Sequence, residues 1–266
     1  GAAGMSAYRA VFSARMRVLL QYRTAALAGL TTQIFWGLIR TMILYAFYEH
    51  ASGPQPMDWE QVLAYIWLSQ AFFALFPMRP DPDVAAMIRS GHVAYELLRP
   101  VDLFSLWYAR AVANRLAPTA LRCLPILAVA ALAGWLPWPG WAGLFGGIAS
   151  LALAVLVSSA IATLMTLSLF LTISGQGVST LISMFSYLLS GMVLPLPLFP
   201  DSLQAVLRLL PFRAFCDLPF RVAGGHIPAD QIPGVLGFQL VWVLILVLAG
   251  RLILQMVSRR LVVQGG

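Results

Sequence analysis

The chain has 266 residues, of which 60% are hydrophobic and 10% are charged, and its mean hydropathy is +0.83. Soluble domains carry about 25% charged residues, so this composition excludes an ordinary water-soluble domain. The formal net charge is +7, but the arginines are spread between apolar runs instead of forming one basic face, which argues against a nucleic-acid partner.

Six apolar stretches are long enough to cross a membrane, because about 20 apolar residues span the hydrocarbon core. They must be helical, since a lipid-exposed backbone has to satisfy its own hydrogen bonds and no stretch alternates with a strand period. Residues 5–266 are predicted to form one transmembrane domain, and residues 1–4 are interpreted as a cloning scar. We predict an all-α polytopic membrane protein with six spans, at roughly 25–48, 61–78, 104–133, 142–171, 177–195 and 232–256.

Ahead of the first span, residues 8–22 alternate apolar and basic faces, which predicts an N-terminal interfacial helix. A cytosolic extension of the first span is the alternative. Arginines precede the first span, lie between the second and third spans, and end the chain, so the positive-inside rule predicts that both termini are cytoplasmic. The loop before the last span is an exception, because it carries Arg208, Arg213 and Arg221 on the predicted outer side, offset by three aspartates.

Inside the first span, Arg40 is a costly charge and therefore a candidate functional residue. Two interpretations are open. Arg40 faces a transport pathway or pairs across a dimer, or it extends toward the outer headgroups and pairs with Glu49.

Between the second and third spans, residues 80–91 predict a short cytoplasmic helix. Asp81 or Asp83 can cap its N-terminus, Pro82 suits its first turn, and Gly91 suits its C-terminal end. An apolar stripe of Val84, Met87 and Ile88 is expected to dock on a partner or on the bilayer surface. A loop helix that rests on headgroups is the alternative.

After the fifth span, a glycine and several prolines end the helix. The apolar segment that follows is too short to cross the membrane, which predicts a re-entrant or interfacial hairpin at the outer face. The residues of this turn are Gly191, Pro195, Pro200 and Pro211.

No catalytic, cofactor or metal motif is evident. A phosphate-binding GxxxxGK[ST] loop requires a lysine, and the chain has seventeen arginines and no lysine. His50, His92 and His226 fall in different loops, and the two cysteines form no CxxC pair. We therefore expect that the chain binds no metal or cofactor and does not hydrolyse ATP itself.

The order of these elements resembles the type-2 ABC exporter permeases. The exit from the fifth span looks like that of this family, and two further stretches, 89–100 and 259–266, resemble a bacterial subfamily that includes viologen-exporter-like members. The resemblance implies a bacterial inner-membrane permease that works with two copies of a separate ATPase subunit, which bind ATP and Mg²⁺, and with a second, identical or homologous permease.

The resemblance also implies roles for individual residues. The cytoplasmic helix would couple the permease to the ATPase through Asp83, Val84, Met87, Ile88 and Arg89, with Glu96 and Arg99 flanking the contact. The second and fifth spans would line the pathway, with helix packing as the alternative role for each polar side chain. The candidate pathway-lining residues are Arg40, Tyr65, Gln70, Phe73, Thr180, Ser183 and Tyr187.

The implied substrate is hydrophobic or amphipathic: a drug, an organic cation or a lipid-like molecule. One rival hypothesis is an ion-gradient-driven secondary transporter, for which carboxylates or histidines would be expected within the spans. Another is an intramembrane lipid-modifying enzyme, which would need converging catalytic groups on facing helices.

Overall fold

The computed structural model describes residues 2–171 and 176–264, and this part of the chain is helical and contains no strand. The all-α prediction is therefore confirmed. Four short 3-10 turns, at Phe73–Leu75, Leu196–Leu198, Pro211–Ala214 and Ala229–Gln231, interrupt the connections. The α-helices of the described residues are α1 Ala2–Gln21, α2 Arg23–His50, α3 Trp59–Ala71, α4 Pro82–Arg89, α5 Val93–Leu97, α6 Leu103–Leu132, α7 Gly140–Ser168, α8 Gln176–Leu189, α9 Asp201–Leu207, α10 Asp217–Ala223 and α11 Ile232–Gln264.

Three helical segments of the described chain are both long and apolar enough to cross a membrane, namely Leu103–Leu132, Gly140–Ser168 and Ala229–Arg259. Helix α2 has 28 residues, whereas α3 has 13 and α8 has 14. At 1.5 Å per residue, 13 or 14 residues extend about 20 Å, which is shorter than the hydrocarbon core. The count of six spans stays a prediction.

Helix α7 lies at the centre of the molecule and packs against α6, α10 and α11. Helix α3 is enclosed even more completely, since every residue from Val62 to Ala71 is buried. A helix that is apolar on all sides is stable only when other elements surround it. The indole of Trp67 on α3 stacks on Trp135, with ring centroids 4.7 Å apart, and anchors the loop after α6.

Helix α3 ends earlier than the predicted span 61–78. It stops at Ala71, a 3-10 turn follows, and Phe76 is extended because it precedes Pro77. The break frees the carbonyl of Leu75, which accepts a hydrogen bond from the Ser158 hydroxyl. Arg115, which is 6% exposed, donates to the same hydroxyl at 2.7 Å. Side chains of α6 and α7 thus satisfy the backbone at the break.

Helix α8 also ends before the predicted limit of residue 195, because Gly191 has a φ of +92° and its neighbourhood is crowded. A Cβ atom at this position would collide with the hydroxyl of Tyr65, so that only glycine fits. The following segment consists of α9, α10 and 3-10 turns. Pro195 and Pro200 directly precede helical turns, and Pro211 begins one. Its re-entrant character stays a prediction.

Candidate functional site

Helix α4 forms where the sequence predicts a short cytoplasmic helix. The Asp81 carboxylate accepts hydrogen bonds from the backbone N–H groups of Asp83 and Val84, at 3.0 and 3.3 Å. Pro82 occupies the first turn, and Gly91 follows the helix with a φ of +77°. Local capping chemistry therefore fixes both ends of this helix.

The apolar stripe of α4 packs largely on the chain itself, whereas the sequence predicts that it docks on a partner or on the bilayer surface. Val84 is 0% exposed, and Met87 and Ile88 are half-buried. All three belong to a hydrophobic cluster that includes Trp107 of α6 and Leu167 of α7. The stripe packs on the chain itself because α4 lies across the neighbouring ends of α6 and α7.

The N-terminus of α4 is bonded to α6 and α7. Arg110 donates to both oxygens of Asp81 at 3.1 Å, and Asn114 donates to Oδ2 at 3.1 Å. The backbone N–H of Asp81 donates to the Thr166 hydroxyl at 3.1 Å. Burial alone raises the pKa of Asp81, but the hydrogen bonds and charge of Arg110 outweigh it, so the pKa is lowered.

Helix α1 contributes to the same cluster. Arg15 forms an ion pair with Asp83 at 2.9 Å and donates to the Asn114 side chain at 2.8 Å. Arg110 also pairs with Asp83, at 2.7 Å. We call Arg15, Asp81, Asp83, Arg110 and Asn114 the junction, because these side chains connect α4 to α1 and α6.

Of the junction residues, the sequence predicted only Asp83 as a site residue and Asp81 as a cap. Arg110 and Asn114 are four residues apart and so share one face of a helix, which is a signal that was available in the sequence. Their partners lie 27 to 33 residues earlier in the chain. Nothing local identifies those partners.

The surface of α4 and α5 that points away from the helices is mixed in character. Asp83 and Arg89 are exposed on α4. Tyr95 and Leu98, which are 71% and 82% exposed, extend from α5 and its end. Glu96 and Arg99 form an ion pair at 3.1 Å beside them, so the structure brings the predicted flanking residues onto the same surface. We call this set the outward surface.

Three predicted pathway residues come together on α8. Thr180, Ser183 and Tyr187 line a cavity of about 420 Å³, opposite Phe76 and Met78. The Ser183 hydroxyl donates to the Met78 carbonyl at 3.0 Å, and Tyr187 contacts the ring of Phe76 edge-on.

Phe73 stacks on Phe76, with ring centroids 6.2 Å apart, and so lies behind the wall of the α8 cavity. Tyr65 and Gln70 are 0% and 4% exposed and do not line the α8 cavity, and their pathway-lining role stays a prediction. The Tyr65 hydroxyl donates instead to the Gly191 carbonyl at 2.8 Å. Arg40 donates to the Ser69 hydroxyl at 2.6 Å instead of pairing with Glu49.

Long apolar helices, a buried helical core and an ion-paired junction at one end define a helical membrane protein. A family model described as ABC-2 family transporter protein matches residues 34–265, and the chain therefore belongs to this family. It is a membrane permease of an ABC transporter, a class that works with an ATPase partner and is generally a non-catalytic transport subunit. No curated protein and no solved structure matches the chain.

Proposed function

We propose that this permease is half of an ABC exporter that moves a hydrophobic or amphipathic substrate outward by alternating access. ATP and Mg²⁺ would bind to two copies of a separate ATPase subunit, and a second permease, identical or homologous, would complete the pathway. The proposed location is a bacterial inner membrane, with both termini in the cytoplasm. The main observation in support of the proposal is that one side of α4 packs on the permease while its other side is exposed.

One side of α4 is fixed to the permease. Its apolar stripe is packed in the core, and the junction holds its N-terminus to α1 and α6 through partly buried, charge-assisted hydrogen bonds. Such bonds are short and directional, and the bidentate pair of Arg110 and Asp81 also fixes orientation. A displacement of α4 would therefore move α1 and α6 with it.

The other side of α4 is free to contact a partner. The outward surface combines an exposed aromatic ring and an exposed leucine, Tyr95 and Leu98, with the charge of Arg89. Asp83 is also exposed there, although its carboxylate pairs with arginines of the junction. Aromatic and arginine side chains carry much of the binding energy at protein interfaces. We place the ATPase contact on this surface, and not on the stripe of Val84, Met87 and Ile88.

The cavity beside α8 supports the proposed substrate class. Its walls are mainly apolar or aromatic, from Phe76, Met184 and Tyr187. Hydroxyl groups of Thr180 and Ser183 and the charged side chain of Arg79 complete the lining. Apolar walls with a few polar groups are typical of sites for small amphipathic molecules. The cavity is open, so a second permease would be needed to enclose it.

The ATPase contact is tested by co-purification from the native host in a mild detergent. Arg89→Glu combined with Tyr95→Ala should lose the ATPase subunit, while the buried stripe keeps α4 folded. Trp138→Ala is the control, because Trp138 is an aromatic residue, 62% exposed, in the loop beyond the far end of α6. Undiminished recovery of the ATPase with the double variant would exclude the outward surface from the contact.

A further inference from the structure

A second cavity, of about 930 Å³, lies at the N-terminal end of α3, whereas α4 follows the C-terminal end of α3. Three arginines line it: Arg208 after α9, Arg213 in a 3-10 turn, and Arg221 on α10. The junction and the α8 cavity share none of its residues. Neither the coupling of the permease nor its family membership accounts for this concentration of positive charge.

Only one of the three arginines has a carboxylate partner within the described residues. Arg221 pairs with Asp217 at 3.0 Å. Arg208 donates to the neutral side chain of Gln204 at 2.7 Å. The Arg213 guanidinium stacks 4.3 Å from the ring centroid of Phe238, and its Nε is buried without a hydrogen-bond partner in the described chain.

The acidic residues near the cavity do not neutralise this charge. Asp217 lies behind the wall and is 0% exposed, and its oxygens accept hydrogen bonds from Arg221 and from the backbone of Leu196. Asp201 lines the wall, at the start of α9, and forms no ion pair within the described residues. Arg208 and Arg213 therefore have no ion-pair partner among the described residues, because the accessible carboxylate of Asp201 contacts neither of them.

The position of Arg213 is electrostatically unfavourable as it stands. Burial lowers its pKa most, the charge of Asp217 opposes this, and the positive charges of Arg221 and Arg208 lower the pKa further, so that the net direction is downward. A group that is held near like charges and away from water gains when an anion binds. The planar fork of arginine matches the oxygens of a phosphate in a bidentate manner.

Helix α9 indicates where such an anion comes from. Leu203, Val206 and Leu209 are 51%, 57% and 73% exposed, while Gln204 and Arg208 of the same segment line the cavity. A short segment with one apolar exposed face and an adjacent basic side chain is typical of a membrane interface. The apolar face would contact acyl chains, and the arginines would lie at the depth of the headgroups.

We propose that this cavity binds a phosphate group through Arg208 and Arg213, and that the phosphate is the headgroup of an anionic phospholipid. Arg221 keeps its ion pair with Asp217 and forms the inner wall of the cavity. The site requires insertion of the chain into a membrane but not the ATPase subunit, so that lipid binding and ATPase recovery are separate measurements.

Native mass spectrometry of the purified chain, with added phosphatidylglycerol or phosphatidylcholine, tests the proposal. The wild type should retain phosphatidylglycerol preferentially, and Arg208→Gln combined with Arg213→Gln should reduce that retention at least about tenfold, which corresponds to one charge-assisted hydrogen bond. Arg9→Gln combined with Arg259→Gln is the matched control, because it removes the same charge from two exposed arginines elsewhere. Gel filtration checks that both variants are folded.

A parallel titration with inorganic phosphate, followed by thermal shift, distinguishes the two sources of phosphate. Protection by millimolar phosphate that requires Arg208 and Arg213, without any retention of phosphatidylglycerol, would support the anion site and overturn the lipid source. Equal retention of phosphatidylglycerol by the cavity variant, the control variant and the wild type would overturn the proposal itself.

Discussion

At the scale of single residues, Asp217 is a fully buried charge that connects three parts of the fold. Its two oxygens accept hydrogen bonds from Arg221 and the backbone of Leu196, and Oδ1 lies 3.3 Å from the Tyr65 hydroxyl, whose single proton is shared with the closer Gly191 carbonyl. It thereby fixes α10 to α3 and to the turn after α8. Removing one partner of a buried ion pair leaves the other charge uncompensated, whereas removing a neutral hydroxyl does not.

We therefore expect Asp217→Ala to lower the free energy of unfolding by about 3–5 kcal/mol. Tyr65→Phe should cost only about 1 kcal/mol, because it deletes one neutral hydrogen-bond donor and keeps the ring. Thermal unfolding in detergent measures both variants. Equal losses for the two would show that the carboxylate is not the centre of this network.

His226 predicts a pH dependence of stability in the same region. Burial, and next the charge of Arg221, lower its pKa below the ordinary value of 6.5, against opposing contributions from the hydrogen bond to the Pro56 carbonyl and then from Asp217 and Asp58. Its neutral ring accepts a hydrogen bond from Arg221 Nε at 3.0 Å and contacts the Pro56 carbonyl at 3.0 Å. Protonation removes the acceptor and places two positive charges side by side.

The unfolded chain therefore binds this proton more readily than the folded chain does, and stability falls as the pH drops through the ordinary histidine range. We expect a lower unfolding temperature at about pH 5.5 than at about pH 7.5. His226→Gln should flatten this difference, because an amide accepts and donates at similar positions without titrating. An unchanged slope in the variant would assign the pH dependence to other groups.

At the scale of the element, α4 shows what the sequence could and could not predict. The helix itself was predictable because its cap, its first-turn proline and its terminal glycine are all local signals. The direction in which its apolar stripe points was not predictable, because it depends on contacts between residues that are far apart in the chain. Asp83 contacts Arg15 at a separation of 68 residues, and Asp81 contacts Thr166 at a separation of 85 residues. An exposed stripe and a buried stripe have the same sequence pattern.

The end of α3 was missed for a related reason. Residues 72–76 continue the apolar run beyond Ala71, and apolarity alone extends the predicted span as far as residue 78, although Pro77 is a stop signal. Tyr65 is a candidate pathway residue only because the family resemblance implies that the second span lines the pathway. Its actual partner, the Gly191 carbonyl, is 126 residues away in the chain.

The junction predicts that Arg110 stabilises α4 locally. Arg110→Gln removes the pairs with Asp81 and Asp83, which should increase amide exchange in α4 by about tenfold or more while the ATPase subunit still co-purifies. Arg99→Gln is the control, because its pair with Glu96 is largely exposed on the arginine side and should contribute less than about 1 kcal/mol. Hydrogen exchange of the two variants, compared residue by residue, measures the effect. Exchange that is no faster in Arg110→Gln than in Arg99→Gln would mean that the apolar stripe alone holds the helix.

At the scale of the whole molecule, composition was sufficient to predict the class, because a chain with few charges and long apolar runs has few alternatives to a helical bundle in a membrane. The number of membrane crossings depends on the lengths of the individual helices and on the turns that end them. Helices α3 and α8 are short, and their flanking turns are held by long-range side-chain contacts such as that of Ser158 with the Leu75 carbonyl. Hydropathy does not detect such contacts.

Cysteine labelling in intact cells tests the six-span topology, and the contact between His226 and the Pro56 carbonyl sharpens the test. That contact places the loop before α3 and the loop before α11 on the same face of the membrane, although the second loop carries arginines that the positive-inside rule would assign to the cytoplasm. In a background with both native cysteines replaced, Ser52→Cys and Ser202→Cys should react with an impermeant thiol reagent from outside. Ser90→Cys, after α4, should react only when the membrane is opened. If Ser52→Cys and Ser202→Cys reacted from opposite sides, the six-span arrangement would be wrong, because an odd number of crossings would then separate two loops that the structure holds in contact.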